Sequence, residues 1–558
     1  MRKRGIFVNH FYLKPKLFSI FKNYTKEQFF KDIVAGIIVA IIALPLSIAL
    51  ALASGVEPAC GVYTAIAAGF VVALLGGSRI QIAGPTAAFA TIVAGIVASN
   101  GMDGLFLSTI IAGFILVLMG VFKLGSLIKF VPYTITTGFT CGIAITILIG
   151  QIKDFFGIVY PDGVKPVETI EKLEATFHSF PTASIPSLII GLVSLLILII
   201  YPKFEKRVPP SLIAVVVGVV MVKFIPWFDS GVSTIGELYT IPAGIPKVDF
   251  SAMDFSFAKV LAVLPDAFTI AILAAIESLL SCVVADAMIN SKHNPNAELV
   301  AQGAGNIASV LFGGIPATGA IARTAANANN GGRTPISGMV HSVVLLLVLL
   351  FLMPYAELIP MPCIAAILFM VAYNMSEWKK VVAIIKTAPK SDTAVMGITL
   401  VLTVVFDLVI AIEVGMVLAA MLFMKRMSDE TLVTEWKYKN ADEENELLNV
   451  PEHVHVYEIS GPLFFGAADK ILDISVRDYT KCLILRMRAV TALDATAMNS
   501  LEMLRKKCAE RNIEIIFSHV NSQPMKVMVK NGFYDRVGAN RFCSHIEEAI
   551  NLATNIER

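Results

Sequence analysis

The chain has 558 residues, 56% of them hydrophobic and only 16% charged, with a formal net charge of +2 at neutral pH. That composition excludes an ordinary soluble globular protein and predicts a polytopic membrane protein. Net charge says little about partners, because its sign is sorted by loop, and no nucleic-acid partner is expected.

The first segment, residues 1–31, carries Arg2, Lys3, Arg4, Lys14, Lys16, Lys22, Lys26 and Lys31 against Glu27, which predicts a cytoplasmic N-terminus. Uncharged runs long enough to span a bilayer follow at Ile33 to Val56, Pro58 to Ser78, Gly104 to Phe122, Phe130 to Ile152 and Leu358 to Ser376. Hydropathy supports roughly ten to fourteen crossings. The first run continues into further spans, so a cleaved secretory signal is not expected. Later basic clusters, Lys203/Lys206/Arg207, Lys379/Lys380/Lys386/Lys390 and Lys425/Arg426, fall on the N-terminal side of the membrane if the crossing number is even.

Two stretches interrupt the apolar pattern in the same way. GGSRIQIAGPTAA runs from Gly76 to Ala88, and GGIPATGAIARTAA from Gly313 to Ala326. Lipid tolerates broken backbone only where protein or water satisfies it, so paired breaks in two halves point to a transport site near the midplane. In the first, Pro85 suits the first turn of a helix containing Thr86 and Ala87. A half-helix starting there would aim free N–H groups and about half a positive charge into a cavity. In the second, Thr318, Gly319 and Ala320 precede AIARTAAN, which adds the cation Arg323. Two helix starts and an arginine predict an anion site. The alternative is that the glycines only allow close helix crossing while Arg323 snorkels to the interface.

Glu277 lies in AILAAIESLLSCVVADA, with Ser281 one turn on and Asp266 and Asp286 near the ends. A charge at mid-span costs about 2.5–3.5 kcal/mol on insertion scales and normally faces a partner or water. Glu277 is therefore either a coupling group that takes up a proton or the partner of Arg323 in a structural pair. Asp407 and Glu413 flank a run too short to span and predict a broken or re-entrant hairpin. His341 reads as a satisfied packing residue. Cys60, Cys141, Cys282, Cys363, Cys482, Cys508 and Cys543 show neither disulfide nor zinc spacing, and no metal or cofactor is expected.

Beyond residue 427 the composition turns polar. A linker over 428–450, acidic from Asn440, leads to a soluble α/β domain over 451–558. His453 to Ile459, Cys482 to Arg488 and Ile513 to Phe517 read as strands, and Ala495 to Arg511 as a helix. His453 and His455 read as surface residues, and Phe464 and Phe465 as packing residues.

Several motifs together resemble the SulP (sulfate permease) family over the whole chain: LPLSIALALASGVEPACGVYT (Leu44 to Thr64), the GGSR…GPTAAF break, GFTCGIAI (Gly138 to Ile145), AIESLLSCVVAD, GAIARTAANANNGGRTPISG (Gly319 to Gly338), GPLFFGAAD and LDATAM. The resemblance implies an α-helical polytopic membrane protein with fourteen segments in two inverted seven-segment repeats, about 33–227 and 260–427 within a transporter domain over 32–427. It also implies a core moving against a gate, a cytoplasmic STAS domain (sulfate transporter and anti-sigma factor antagonist) at the C-terminus, and a homodimer in the bacterial inner membrane. IESLL, ELVAQGAGN and LFMVAYNMSEW look most like the bacterial branch containing an enteric C4-dicarboxylate transporter.

Carried over by position, the resemblance puts the substrate at Pro85, Thr86 and Ala87, at Gly319, Ala320, Ala322, Arg323 and Thr324, and beside Leu46 and Leu50. Animal members often have Gln at Leu46 and Ser at Ala322, so this pocket is less polar. A sodium-coupled bicarbonate-transporting member carries Asp and Thr where this chain has Glu277 and Ser281. In the soluble domain, the phosphorylatable Ser of anti-sigma antagonists is replaced by Ala495, followed by Thr496, so a docking role is expected over a phosphorylation switch.

The expected function is proton-coupled symport of sulfate or a C4-dicarboxylate by an elevator-like movement. The alternatives are sodium-coupled bicarbonate transport and an uncoupled anion channel or sensor that signals through the STAS domain. Nothing in the membrane part suggests an enzyme.

Overall fold

The computed structural model describes residues 13–555 apart from 21–23, 127–130, 162, 165, 167, 206–207, 230, 240–255, 407 and 436–449. Arg2, Lys3, Arg4, Lys22, Lys206, Arg207, Asp407 and the acidic run from Asn440 lie outside the described residues. The chain forms two compact units, Met1–Met416 and Val417–Arg558.

In the first half run α1 (Lys26–Ala53), α2 (Pro58–Leu75), strand β1 (Ala83–Gly84), α3 (Ala87–Val121), α4 (Tyr133–Phe156), α5 (Ile185–Ile200) and α6 (Pro210–Phe224). The second half has α7 (Phe257–Ile289), α8 (Pro295–Leu311), strand β2 (Thr318–Gly319), α9 (Ile321–Asn329), α10 (Pro335–Phe351), α11 (Met361–Ser376), α12 (Lys390–Val405) and α13 (Leu408–Glu430). Helix α3 is broken at Gly101, whose φ of 71° only glycine adopts readily. Among these described elements each half therefore supplies seven helical pieces. Seven helices of the described chain are individually long and apolar enough to cross a membrane.

Packing is reciprocal between the halves. Helix α8 lies on α3 as α10 lies on α2, α7 on α3 as α10 on α1, and α4 on α12 as α11 on α5. Strands β1 and β2 pair antiparallel, with Ala83 opposite Gly319 and Gly84 opposite Thr318. Carboxylates repeat the scheme. On α1, Asp32 accepts from the Arg333 and Thr334 backbone at the start of α10, and on α7, Asp266 accepts from Asn100 at the break in α3. This is the inverted repeat, expressed in both helix contacts and polar links.

The helices sort into two groups. One contains α1–α3 with α7–α10, and the other α4–α6 with α11 and α12. Helix α13 joins the second through Gly415, where an added side-chain carbon would lie 2.7 Å from Thr399 Oγ1 and 3.6 Å from Ile135. The chain breaks at Phe406, before α13, and the run up to Glu413 forms the start of that 23-residue helix, with Glu413 exposed in its second turn, so no hairpin lies within the run itself.

In the second unit a five-stranded sheet has the order β3 (Leu432–Glu435), β4 (Val454–Ser460), β5 (Cys482–Ala489), β6 (Glu514–Ser518), β7 (Phe542–Cys543). Strand β3 is antiparallel to β4, and the rest are parallel. Helices α14 (Ala495–Glu510) and α15 (Ser522–Lys530) on one face and α16 (Ile546–Asn555) on the other cover apolar layers. The segment read as linker thus contributes β3. Four residues are too few for an alternation signal, and pairing with β4 makes the strand. His455 is buried, not superficial: its Nδ1 lies 2.6 Å from Oε1 of Glu435 on β3. Phe465 is exposed and meets Phe464 edge to face. Asp494 caps α14, accepting from the Ala497 N–H at 2.8 Å and from the Phe465 N–H at 2.9 Å.

Candidate functional site

Each Gly-Gly turn is fastened by a side chain from the opposite half. After α2, the N–H groups of Gly77 and Ser78 donate to Oε2 of Glu298 on α8, at 2.8 and 3.0 Å. After α8, the Ile315 N–H donates to Oγ1 of Thr64 on α2 at 2.7 Å. Asn306 takes the Ala317 N–H on Oδ1 and donates from Nδ2 to the Ala317 carbonyl, as a neighbouring strand would. These buried bonds give the broken backbone the partners that lipid cannot.

The Ala320 N–H donates to the Ile82 carbonyl at 2.8 Å, lengthening the β1/β2 pairing, and the chain then enters α9. On the other side it leaves β1 through Pro85 and starts α3 at Ala87, with Thr86 as N-cap in extended conformation. Pro85 thus precedes the helix and does not occupy its first turn, because strand pairing carries the extended backbone that far. Neither N-cap, Thr86 or Ala320, supplies a side-chain cap bond. The first N–H groups of both helices are left to another acceptor.

Thr86 is uncapping because its hydroxyl is used elsewhere. It donates to Oε2 of Glu277 at 2.9 Å, and the Thr318 hydroxyl donates to the same oxygen at 2.9 Å. One half-buried carboxylate on α7 therefore ties the entry to α3 to the strand before α9. The same face of α7 carries Ser278, whose Oγ accepts from the Gly319 N–H at 3.0 Å, and Ser281, 3.4 Å from the Thr324 hydroxyl. Thr324 Oγ1 in turn accepts from the Ile82 N–H at 3.0 Å.

Arg323 departs from the snorkelling reading and from the ion-pair reading. It is buried, so it does not snorkel, and no ion pair within 4.0 Å joins it to Glu277 among the described residues. Its Nη2 donates instead to the Pro85 carbonyl. Strand pairing explains the geometry: Arg323, in the first turn of α9, faces the chain leaving β1, while Oε2 of Glu277 is taken by two hydroxyls.

Pro85, Thr86, Glu277, Ser281, Gly319, Ala320, Arg323 and Thr324 are thus brought together. Ala87 is buried in the first turn of α3, and Ala322 is exposed in that of α9. Leu50 is buried on α1, while Leu46 packs on Phe155, Leu198, Ala365 and their neighbours in the second helical group. Leu46 therefore stands where the groups meet. Thr318 and Ser278 were not singled out as site residues, although each adjoins one that was. Glu298, Thr64 and Asn306 gave no signal, since their partners are backbone groups, of the other half for Glu298 and Thr64 and of the following turn for Asn306. His341 on α10 is fully buried and neither ring nitrogen has a protein hydrogen-bond partner, which contradicts the reading of a satisfied packing residue.

The sulfate permease family profile fits residues 29–399, and the STAS domain profile fits residues 447–549. The chain belongs to the sulfate permease family. YvdB of Bacillus subtilis (strain 168), a protein named for sulfate transport, is 39% identical over 541 residues, 95% of this chain and 98% of YvdB. Bicarbonate transporter BicA of Picosynechococcus sp. is 30% identical over 543 residues, 94% of each chain. The murine Slc26a9 anion transporter in its inward-facing state matches with a TM-score of 0.86 at 18% identity, covering 100% of this chain and 96% of that one, which speaks to the fold. The transmembrane domain of BicA matches with a TM-score of 0.62 at 32% identity, covering 70% of this chain and 98% of that domain. This sulfate permease family member is a multi-pass membrane anion transporter, not an enzyme.

Proposed function

We propose that this transporter carries a small oxyanion, sulfate first, by proton-coupled symport, with the anion between the starts of α3 and α9. The observation that carries the reading is the Glu277 carboxylate, held by Thr86 and Thr318 from the two opposed breaks and set between two uncapped helix starts. The helix ends attract the anion, and Glu277 takes the proton that enters with it. Arg323 adds positive potential from behind Pro85 without needing to touch the substrate. Leu46, at the boundary of the two helical groups, supports an elevator movement in which α1–α3 and α7–α10 carry the pocket past the rest. The relative named for sulfate transport supports sulfate over a C4-dicarboxylate, which rests on sequence wording alone. We place both termini in the cytoplasm, the transporter in the inner membrane and the working unit as a homodimer.

Sodium-coupled bicarbonate transport is the second reading, favoured by the oxygen-rich surroundings of Glu277 and the likeness to BicA. Proteoliposome uptake of labelled sulfate, bicarbonate and succinate, with an inward proton or sodium gradient, separates them. Sulfate accumulation driven by protons alone is expected. Bicarbonate accumulation that requires sodium would replace the first reading with the second, and flux that only follows the anion's own gradient would make the protein a channel.

A further inference from the structure

Two helices beside the spans have no part in the transport reading, Thr169–His178 between α4 and α5 and Trp378–Thr387 between α11 and α12. At 10 residues each, they are too short to cross a bilayer. Both pack on α4 and α12. Those two spans run parallel, since side-chain carbons added at Gly138 and Gly142 would meet Met396 and Thr403 in that order. Trp378–Thr387 leads through Pro389 into the first residues of α12, and so lies beside the start of α4. Thr169–His178 meets the chain just past the end of α4, where the Tyr160 and Thr176 hydroxyls are 2.8 Å apart. With 24 residues, α4 is about 36 Å long, a little more than a hydrocarbon core of about 30 Å. The two short helices therefore sit at opposite membrane surfaces, as an inverted repeat requires.

Trp378–Thr387 is amphipathic, and the protein covers only half of its apolar arc. Ile384 is buried and Val381 half-buried. The rest of the arc, Trp378, Val382 and Ile385 at i, i+4 and i+7, is 46, 39 and 56% exposed. Lys379 and Lys386, both exposed, border Val382 on the polar side. The Lys379 Nζ stands 5.8 Å from the Trp378 ring centroid, while Lys380 is held by Glu377 at 2.6 Å. The helix itself contains no acidic residue. Its counterpart at the other surface exposes Ile170, Leu173 and Phe177 with similar spacing but bears Glu171 and Glu174 beside Lys172. Of the two, the basic one alone offers lipid phosphates a charge of opposite sign.

We propose that Trp378–Thr387 is a binding site for anionic phospholipid. Trp378, Val382 and Ile385 enter the acyl region of one leaflet, and the Lys379 and Lys386 ammonium groups reach along its border to the phosphate headgroups. The occupant is lipid because spans at both ends of the helix hold it at headgroup depth. A second copy of the same face would set lysine against lysine. Basic loops mark the cytoplasmic surface, where anionic lipid gives such a segment its purchase.

Tryptophan quenching tests the assignment. Trp227→Phe with Trp436→Phe leaves Trp378 as the sole tryptophan of the chain. This protein is placed in vesicles of equal phosphatidylcholine and phosphatidylglycerol, with the acyl chains of one lipid or the other brominated. Both should quench Trp378, and brominated phosphatidylglycerol more strongly, with a relative association about fivefold in its favour, the effect of about one lysine at an anionic surface. Lys379→Gln/Lys386→Gln should bring the ratio near one. No quenching by either lipid would show that protein covers the face. Equal quenching by both, or an undiminished preference in the lysine variant, would show that the lysines select no headgroup. Each of these results overturns the proposal. Should the tryptophan replacements prevent folding, native mass spectrometry of the unaltered protein and of Lys379→Gln/Lys386→Gln decides it: less phosphatidylglycerol retained by the variant supports the site, and equal retention refutes it.

Discussion

A carboxylate inside a membrane protein is informative because of what holds it. Glu277 was legible in the sequence as a charge in an apolar run, and so was Arg323, since both are costly there. Of the two readings of Glu277, the structural pair with Arg323 is not what forms: the partners of Glu277 are two threonine hydroxyls on segments 191 and 41 residues away. Such residues are common, and their relevance appears only when two strands pair. Thr318→Val removes one donor from the carboxylate, and a hydrogen bond to a charged group is worth about 1.5–3 kcal/mol. Sulfate uptake by this variant should fall about tenfold or more in kcat/KM, with the protein still folded by size-exclusion chromatography. A second test at this scale lies in the soluble unit. Partial burial, then neighbouring His545, Arg486 and Arg488, lowers the His519 pKa from its usual value near 6.5. The unfolded chain then binds a proton that the fold resists, so stability contributed at neutral pH is lost as pH falls below about 6.5 through the lowered value. Hydrogen exchange of β6 amides in the full-length protein, corrected for intrinsic rate, should show protection declining from pH 7.5 to 5.5, and less steeply in His519→Gln.

Helices and breaks were more readable than side-chain partners, because hydropathy and Gly-Gly pairs act locally. The apolar runs became α1, α2, the second part of α3, α4 and α11, and three predicted strands became β4, β5 and β6. What local pattern did not carry was made by pairing: β1 and β2 have two residues each, and their antiparallel register moved the start of α3 past Pro85. Close helix crossing has a similar non-local cause. Gly113 on α3 and Gly303 on α8 face one another's backbone, where a side-chain carbon on Gly113 would come within 2.8 Å of the Gly303 carbonyl. Backbone cannot move aside as a side chain can. Gly303→Leu should abolish a monodisperse peak in fluorescence-detected size exclusion. Gly95→Ala, where a new carbon meets nothing within 4 Å, should leave it intact.

At the scale of the whole transporter, the two-fold relation lays out a shared scaffold and its exceptions lay out function. Glu298 and Thr64 fasten the two turns in corresponding ways, while Glu277 and Arg323 belong to the second half alone. Symmetric parts build the paired breaks, and the asymmetric ones are the residues to which the proposed function assigns charge and coupling. The family resemblance made the two-group plan foreseeable, but the position of Leu46 on the boundary needed the packing. Leu46→Trp overfills that boundary, and overpacking costs about 1–3 kcal/mol. It should slow sulfate exchange in proteoliposomes while leaving equilibrium sulfate binding near wild type. The central claim is that Glu277 couples proton entry to anion entry at the paired helix starts, and Glu277→Gln tests it most directly. In proteoliposomes with an inward proton gradient, wild type should accumulate sulfate above equilibrium, while the Gln variant should bind sulfate and fail to concentrate it. Accumulation by Glu277→Gln to the wild-type level would contradict the account.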